Sequence, residues 1–145
     1  MSINKPFNPF IFKNSKHDPS QHTHLVFVYG TLRRQHYNHA LISKAHYISE
    51  WVTPAQYTMI SFDFYPAVIP MGTSPIVGEL YKVNDKQLEE IDLLEGVPIF
   101  YRRDIIETPV GKAFWYVMPE VLERAEVVFS GDWDEHVSKG SVSNA

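Results

Sequence analysis

Glu95 is where proton chemistry could sit. It ends the segment VNDKQLEEIDLLE, followed by Gly96. At about 100° per residue, Leu88, Ile91 and Leu94 mark one apolar arc of a helix. Glu89 and Glu90 point away from that arc and Asp92 lies at its edge, but Glu95 falls inside it. An acid on a buried face is costly unless paired, and desolvation raises its affinity for a proton. Two readings stay open at this level. The last turn unwinds, or Glu95 caps or pairs with Arg102 or Arg103; alternatively, Glu95 is a cleft-facing carboxylate tuned to move protons.

Other chemistry-bearing residues give weaker signals. His22 and His24 would share one side of a strand, and His36 and His39 lie three apart on a helix. No carboxylate is obviously placed to complete a site with either pair, so no metal is expected. Arg33 and Arg34 could hold an anionic ligand end or simply form a solvated helix start. Serines and histidines occur without a G-x-S-x-G elbow, and no G-x-x-x-x-G-K phosphate loop is present. The count of cysteines is 0, which excludes disulfides, thiolate zinc and cysteine nucleophiles.

The helix that carries Glu95 has clear punctuation. Asn84 is a good N-cap, Gln87 can complete a capping box, and Val83 with Leu88 can form a hydrophobic staple. Asp85 suits the positive end of the dipole, and Gly96 supplies a left-handed stop. Around it, strands are expected at Leu25–Tyr29, in one or two pieces of His46–Ser61, at Pro75–Val83, at Tyr101–Thr108 and at Lys112–Met118. A turn at Pro109-Val110-Gly111 joins the last two. Arg33–Ser43 is expected as a short helix. Several short-spaced strands and only two convincing helices predict an α+β fold, a curved antiparallel sheet or small barrel carrying helices.

Composition sets the frame. The chain has 145 residues, 44% of them hydrophobic, enough for one domain with a real core. A formal net charge of −4 argues against a protein-wide attraction to nucleic acid or anionic lipid. The start lacks an apolar stretch of signal-peptide length, and no apolar run approaches the ~20 residues needed to span a bilayer. No nucleic acid and no membrane are therefore expected as partners, and a cytoplasmic location fits. Residues 1–22 read as an arm whose Phe7, Phe10, Ile11 and Phe12 could pin it to the body or to a neighbouring subunit, so a homo-oligomer stays open. The domain is placed at 23–133 and a small, polar, frayed tail at 134–145.

Four segments together carry a resemblance. YGTLR at Tyr29–Arg33, VGELY at Val77–Tyr81, IDLLEG at Ile91–Gly96 followed by Tyr101-Arg102-Arg103, and SGDW at Ser130–Trp133 resemble the gamma-glutamylcyclotransferase-like family. The match runs over roughly residues 25 to 133. The resemblance implies a small mixed, mainly antiparallel β-barrel with flanking helices and a cavity lined by the YGTL loop. It implies that Tyr29, Gly30, Thr31 and Leu32 form the loop whose backbone amides hold a ligand's polar head, with Glu95 as acid and base. It implies no cofactor, and a small-molecule gamma-glutamyl substrate cyclised to 5-oxoproline with release of an amine or peptide.

Tyr65, Pro66 and Ala67 are expected to form one wall, and Tyr101 and Tyr116 to offer hydroxyls to the cavity or to be satisfied within the core. Gly30 is expected to let backbone approach the ligand closely. Trp133 is expected to pack rather than react. The chain departs from the family at Gln35 and Asp63, where many relatives carry glycine, so the rim and the substrate are expected to differ. The rivals to an enzyme are a non-catalytic module holding a small carboxylate in the same cavity and an interaction protein that docks a partner through its arm.

Overall fold

The computed structural model describes residues 22–119 and 125–143. The expected arm, apart from His22, and the last two residues of the expected tail lie outside them. Among the described residues, eight strands and two α-helices follow in the order β1 (Thr23–Val28), β2 (His46–Val52), β3 (Tyr57–Ser61), β4 (Pro66–Ser74), β5 (Val77–Asn84), α1 (Asp85–Glu95), β6 (Arg102–Thr108), β7 (Gly111–Val117), β8 (Glu126–Val128) and α2 (Trp133–Ser143). The class is α+β, as expected, and the strands are mixed but mainly antiparallel. They pair as two sheets rather than one closed barrel: a five-stranded sheet of order β2-β5-β1-β7-β6 and a three-stranded sheet of order β4-β3-β8. Among the described strands, only β1 and β7 pair parallel, in register at Val26 and Phe114. The Met118 amide, just past β7, donates to the Val68 carbonyl of β4 at 2.9 Å and ties the sheets together.

The uninterrupted Leu25–Val28 run is explained by position. β1 lies at the centre of its sheet, and its alternate residues bury on opposite faces. Val26 and Val28 pack with Ile42, Leu88 and Ile91 on one side, while Phe27 packs with Trp115 and Trp133 on the other. The α1 caps form as their residues dictate. Asn84 Oδ1 accepts from the Gln87 amide at 2.8 Å, Gln87 Oε1 accepts from the Asn84 amide at 2.8 Å, and Gly96 takes a left-handed φ of 67°.

Three expectations need correction. Arg33–Ser43 is a series of turns ending in a short 3₁₀ helix, His39–Ile42. Its α-helix is pre-empted because Arg33 and His36 are drawn into side-chain pairs with other elements, and Gln35 adopts a positive φ of 73°. β4 was not among the expected strands; it carries Pro66 and Pro70 and lies at a sheet edge, where a missing N–H is tolerated. The expected tail is helical as far as Ser143. Asp132 starts it, its Oδ1 accepting from the Asp134 amide at 3.1 Å and the Glu135 amide at 3.4 Å, and buried Trp133 anchors it to the core.

Candidate functional site

A cavity of about 310 Å³ opens beside the start of the 30–38 turns and the C-terminal end of α1. Tyr29, Gly30, Thr31 and Leu32 line it, as do Tyr65, Pro66, Glu95, Tyr101 and Tyr116. The fold thus brings these nine residues together from the segment after β1, the β3–β4 turn, the start of β4, α1, the segment before β6 and β7; Ala67, expected in the same wall, is instead fully buried in the core.

Glu95 sits in the cavity wall, partly buried. Neither arginine that could have neutralised it does so. Arg103 Nη1 donates to Asp92 Oδ2 at 2.6 Å, and Arg102 forms a two-pronged pair with Asp104 at 2.7 and 2.9 Å. Tyr116 Oη donates to the other Asp92 oxygen at 2.6 Å. Asp92 therefore absorbs the nearby donors, and among the described residues nothing hydrogen-bonds Glu95. Desolvation by burial pushes its carboxyl up to about 7. Leu94, expected on the core-facing arc, is instead 42% exposed and lines the cavity beside it. The last turn of α1 overhangs the core and faces the cavity.

At the loop, the amides of Gly30, Thr31 and Leu32 have no protein acceptor among the described residues. The carbonyls of Gly30, Thr31 and Leu32 are engaged. The Arg33 amide donates to the Gly30 carbonyl at 3.0 Å and the Asn38 amide to the Thr31 carbonyl at 3.0 Å. Asn38 Nδ2 donates to Thr31 Oγ1 at 2.9 Å, closing the turn a second time. Three adjacent unpaired amides on a cavity wall form an acceptor-binding surface. Gly30 has a further reason to be glycine. A Cβ there would stand 2.7 Å from Pro66 Cγ, so the missing side chain makes room for the opposite wall.

The tyrosine hydroxyls hold walls. Tyr29 Oη donates to the Tyr116 carbonyl at 2.5 Å and accepts from the Val68 amide at 3.2 Å, joining β7 to β4. Tyr101 Oη donates to the Pro66 carbonyl at 2.8 Å. Burial, before any charge effect, raises the phenols of Tyr29, Tyr101 and Tyr116, so all three stay neutral.

Behind the loop lies a feature that sequence reasoning missed. Arg33, read as a ligand anchor or a solvated helix start, is only 2% exposed, as is Glu79. Arg33 Nε donates to Glu79 Oε2 at 3.3 Å. The Arg34 amide and Tyr81 Oη donate to Glu79 Oε1 at 3.1 and 2.9 Å. Arg33 also reaches Asp132 at 3.3 Å and Asp134 at 3.1 Å. YGTLR, GELY and SGDW are thus joined by one network, and their co-occurrence was the only signal for it. Phe27, Val28, Tyr37, Asn38, Phe100 and Met118 also line the cavity and were not anticipated. Tyr37 and Asn38 were hidden by the expected helix.

The histidine pairs do different work. His22 Nδ1 and His24 Nε2 both meet Asp85, at 3.0 and 2.5 Å, and His36 pairs with Asp134. His39 bonds the Leu32 carbonyl at 2.8 Å. Among the described residues, no group of three or more His, Cys, Asp or Glu is placed to hold a metal ion. No helix among them is long and apolar enough to cross a membrane.

Residues 26–135 match the family described as gamma-glutamyl cyclotransferase, AIG2-like. A Vibrio cholerae protein, provisionally named a gamma-glutamylcyclotransferase, is 39% identical over 114 residues, covering 79% of this chain and 98% of its own. A Danio rerio protein named gamma-glutamylaminecyclotransferase C is 30% identical over 126 residues, covering 77% of this chain and 80% of its own. A crystal structure of a Pyrococcus horikoshii protein superposes with a TM-score of 0.71 at 27% identity, covering 81% of this chain and 96% of that one.

Proposed function

Since the chain belongs to the gamma-glutamyl cyclotransferase, AIG2-like family, we propose that it cyclises a gamma-glutamyl group to 5-oxoproline and releases an amine, with Glu95 moving the protons. The observation that carries this reading is a carboxyl with no partner among the described residues and a proton affinity near neutrality, in a cavity whose other wall offers three free amides.

The chemistry needs those two features. The substrate's α-ammonium cannot attack until it loses a proton, and Glu95 as carboxylate takes it. The freed amine then adds to the γ-carbonyl carbon of the same glutamyl group, an intramolecular step whose rate depends on the cavity holding the chain folded. The addition gives a tetrahedral oxyanion. Glu95, now protonated, hands that proton to the nitrogen of the scissile amide and takes the surplus proton from the attacking nitrogen as the C–N bond breaks, giving 5-oxoproline and a neutral amine; passing the last proton to that amine or to solvent restores the Glu95 carboxylate. No water is consumed. The Gly30–Leu32 amides bind the glutamyl α-carboxylate or the oxyanion. Asp92, through Arg103 and Tyr116, keeps competing donors away from Glu95 and so leaves it free to titrate.

A mass-spectrometric search for 5-oxoproline over gamma-glutamyl dipeptides, gamma-glutamyl amines and glutathione tests the reading. Turnover is expected with at least one class, with kcat/KM falling below about pH 7 as Glu95 protonates. A folded protein that releases no 5-oxoproline, yet is stabilised thermally by small carboxylates, would replace the enzyme with a binding module.

A further inference from the structure

Beyond the loop and Glu95, the cavity mouth is apolar and aromatic. Phe100 is 70% exposed, Tyr37 66%, Tyr65 42% and Leu94 42%. These are not loose surface residues. Tyr37 Oη donates to the Phe64 carbonyl at 2.8 Å, bridging two sides of the mouth. Phe100 lies over Gly96, where a Cβ would stand 2.5 Å from its ring, and its amide donates to the Gly96 carbonyl at 2.9 Å. A shallow groove continues outward from Tyr37 and Leu94 across Leu41 and Leu93. Contiguous exposed apolar surface of this kind, leading out of a cavity with a polar floor, marks a ligand-binding surface.

Charge narrows the ligand. Among the described residues that line the cavity and the groove there is no Lys, Arg or His, and the carboxylates are Glu95 and Glu90. A leaving group that carries its own carboxylate would meet like charge and no cation. An uncharged apolar one would bury its surface against Phe100, Tyr37, Tyr65 and Leu94.

We propose that this mouth is the leaving-group subsite and selects gamma-glutamyl derivatives of neutral, apolar amines over gamma-glutamyl amino acids and peptides with a free carboxylate. The inference rests on the proposed cyclotransferase activity. In the first step that commits the substrate, the amine half lies along the aromatic rim while the glutamyl half reaches the loop amides. Phe100 and Tyr37 are then specificity-determining residues that take no part in proton transfer.

Three probes separate the effects: gamma-glutamyl-phenethylamide, gamma-glutamylphenylalanine, which differs by one carboxylate, and gamma-glutamyl-methylamide, which lacks the ring. The expected kcat/KM for the phenethylamide is at least about tenfold above each of the others. Phe100→Ala should narrow its advantage over the methylamide several-fold, and Leu94→Ala should narrow it less. Equal or better turnover of gamma-glutamylphenylalanine would overturn the charge argument. Equal turnover of the methylamide would overturn the apolar one. Either result leaves the cyclotransferase reading standing, whereas silence with all three probes would overturn the inference together with that reading. A fourth probe, the monoamide of 1,4-diaminobutane, overturns the neutral-amine assignment if it is preferred to the butylamide through Glu90.

Discussion

Glu79 and Glu95 are both glutamates withdrawn from water, and their surroundings give them opposite work. Glu79, on interior strand β5, accepts from the Arg33 guanidinium, the Arg34 amide and the Tyr81 hydroxyl. Glu95, at the last turn of α1, accepts from nothing among the described residues and rises to about 7 through burial alone. The first carboxylate is tied down by these donors as a brace behind the loop. The second is balanced between two protonation states in front of it. A buried acid acquires a role from the donors around it, and here Asp92 decides the matter by occupying Arg103 and Tyr116 before they can reach Glu95.

Removing the brace should have the largest effect on the fold. Glu79→Ala leaves Arg33 short of its main counter-charge, and breaking a buried pair from one side costs about 3–5 kcal/mol. Urea unfolding should show a loss of at least about 3 kcal/mol; a loss below about 1 kcal/mol would reduce the brace to an ordinary surface pair.

The opposite change is expected at Glu95. Its folded-state value of about 7 lies above the ordinary 4.5. The stability held by the neutral carboxyl is therefore full below about 4.5 and is lost as pH rises through about 7. Glutamine stays neutral throughout. Glu95→Gln should be more stable than wild type by about 1–3 kcal/mol at pH 8, with the gap shrinking toward pH 5. A variant less stable than wild type at pH 8 would show that Glu95 has a partner when ionised.

The loop between the two glutamates can be tested through its glycine. Gly30→Ala drives a methyl against Pro66 and should cost about 1–3 kcal/mol by thermal unfolding while lowering kcat/KM. The smallest effect is expected at the departures from the family. Gln35 and Asp63 hold positive φ values of 73° and 76°. Gln35→Gly should gain about 0.5 kcal/mol, the left-handed strain relieved less the entropy of a more flexible unfolded chain. Asp63→Gly should gain less, since Asp tolerates that conformation better.

Much of this contrast was legible in the chain. The capping box at Asn84 and Gln87, the stop at Gly96 and the anomalous position of Glu95 are local properties, set by backbone geometry and a single helix period. The motif YGTLR also located one cavity wall, at Tyr29 to Leu32. What could not be read were the partners. Arg33 was taken for a ligand anchor or a solvated residue because its counter-charges lie 46 and 99 positions away. Gln35 and Asp63 were read as departures from an expected glycine, but only the backbone reveals that both hold left-handed turns. β4 carries prolines whose cost depends on edge position, a property of the assembled sheet.

The most direct test of the account compares 5-oxoproline release by wild type and Glu95→Gln at saturating gamma-glutamyl substrate, alongside calorimetric binding of that substrate to the variant. Loss of at least about a hundredfold in kcat with binding retained is the predicted result. A variant that turns over within a few-fold of wild type would contradict the central claim that Glu95 moves the protons.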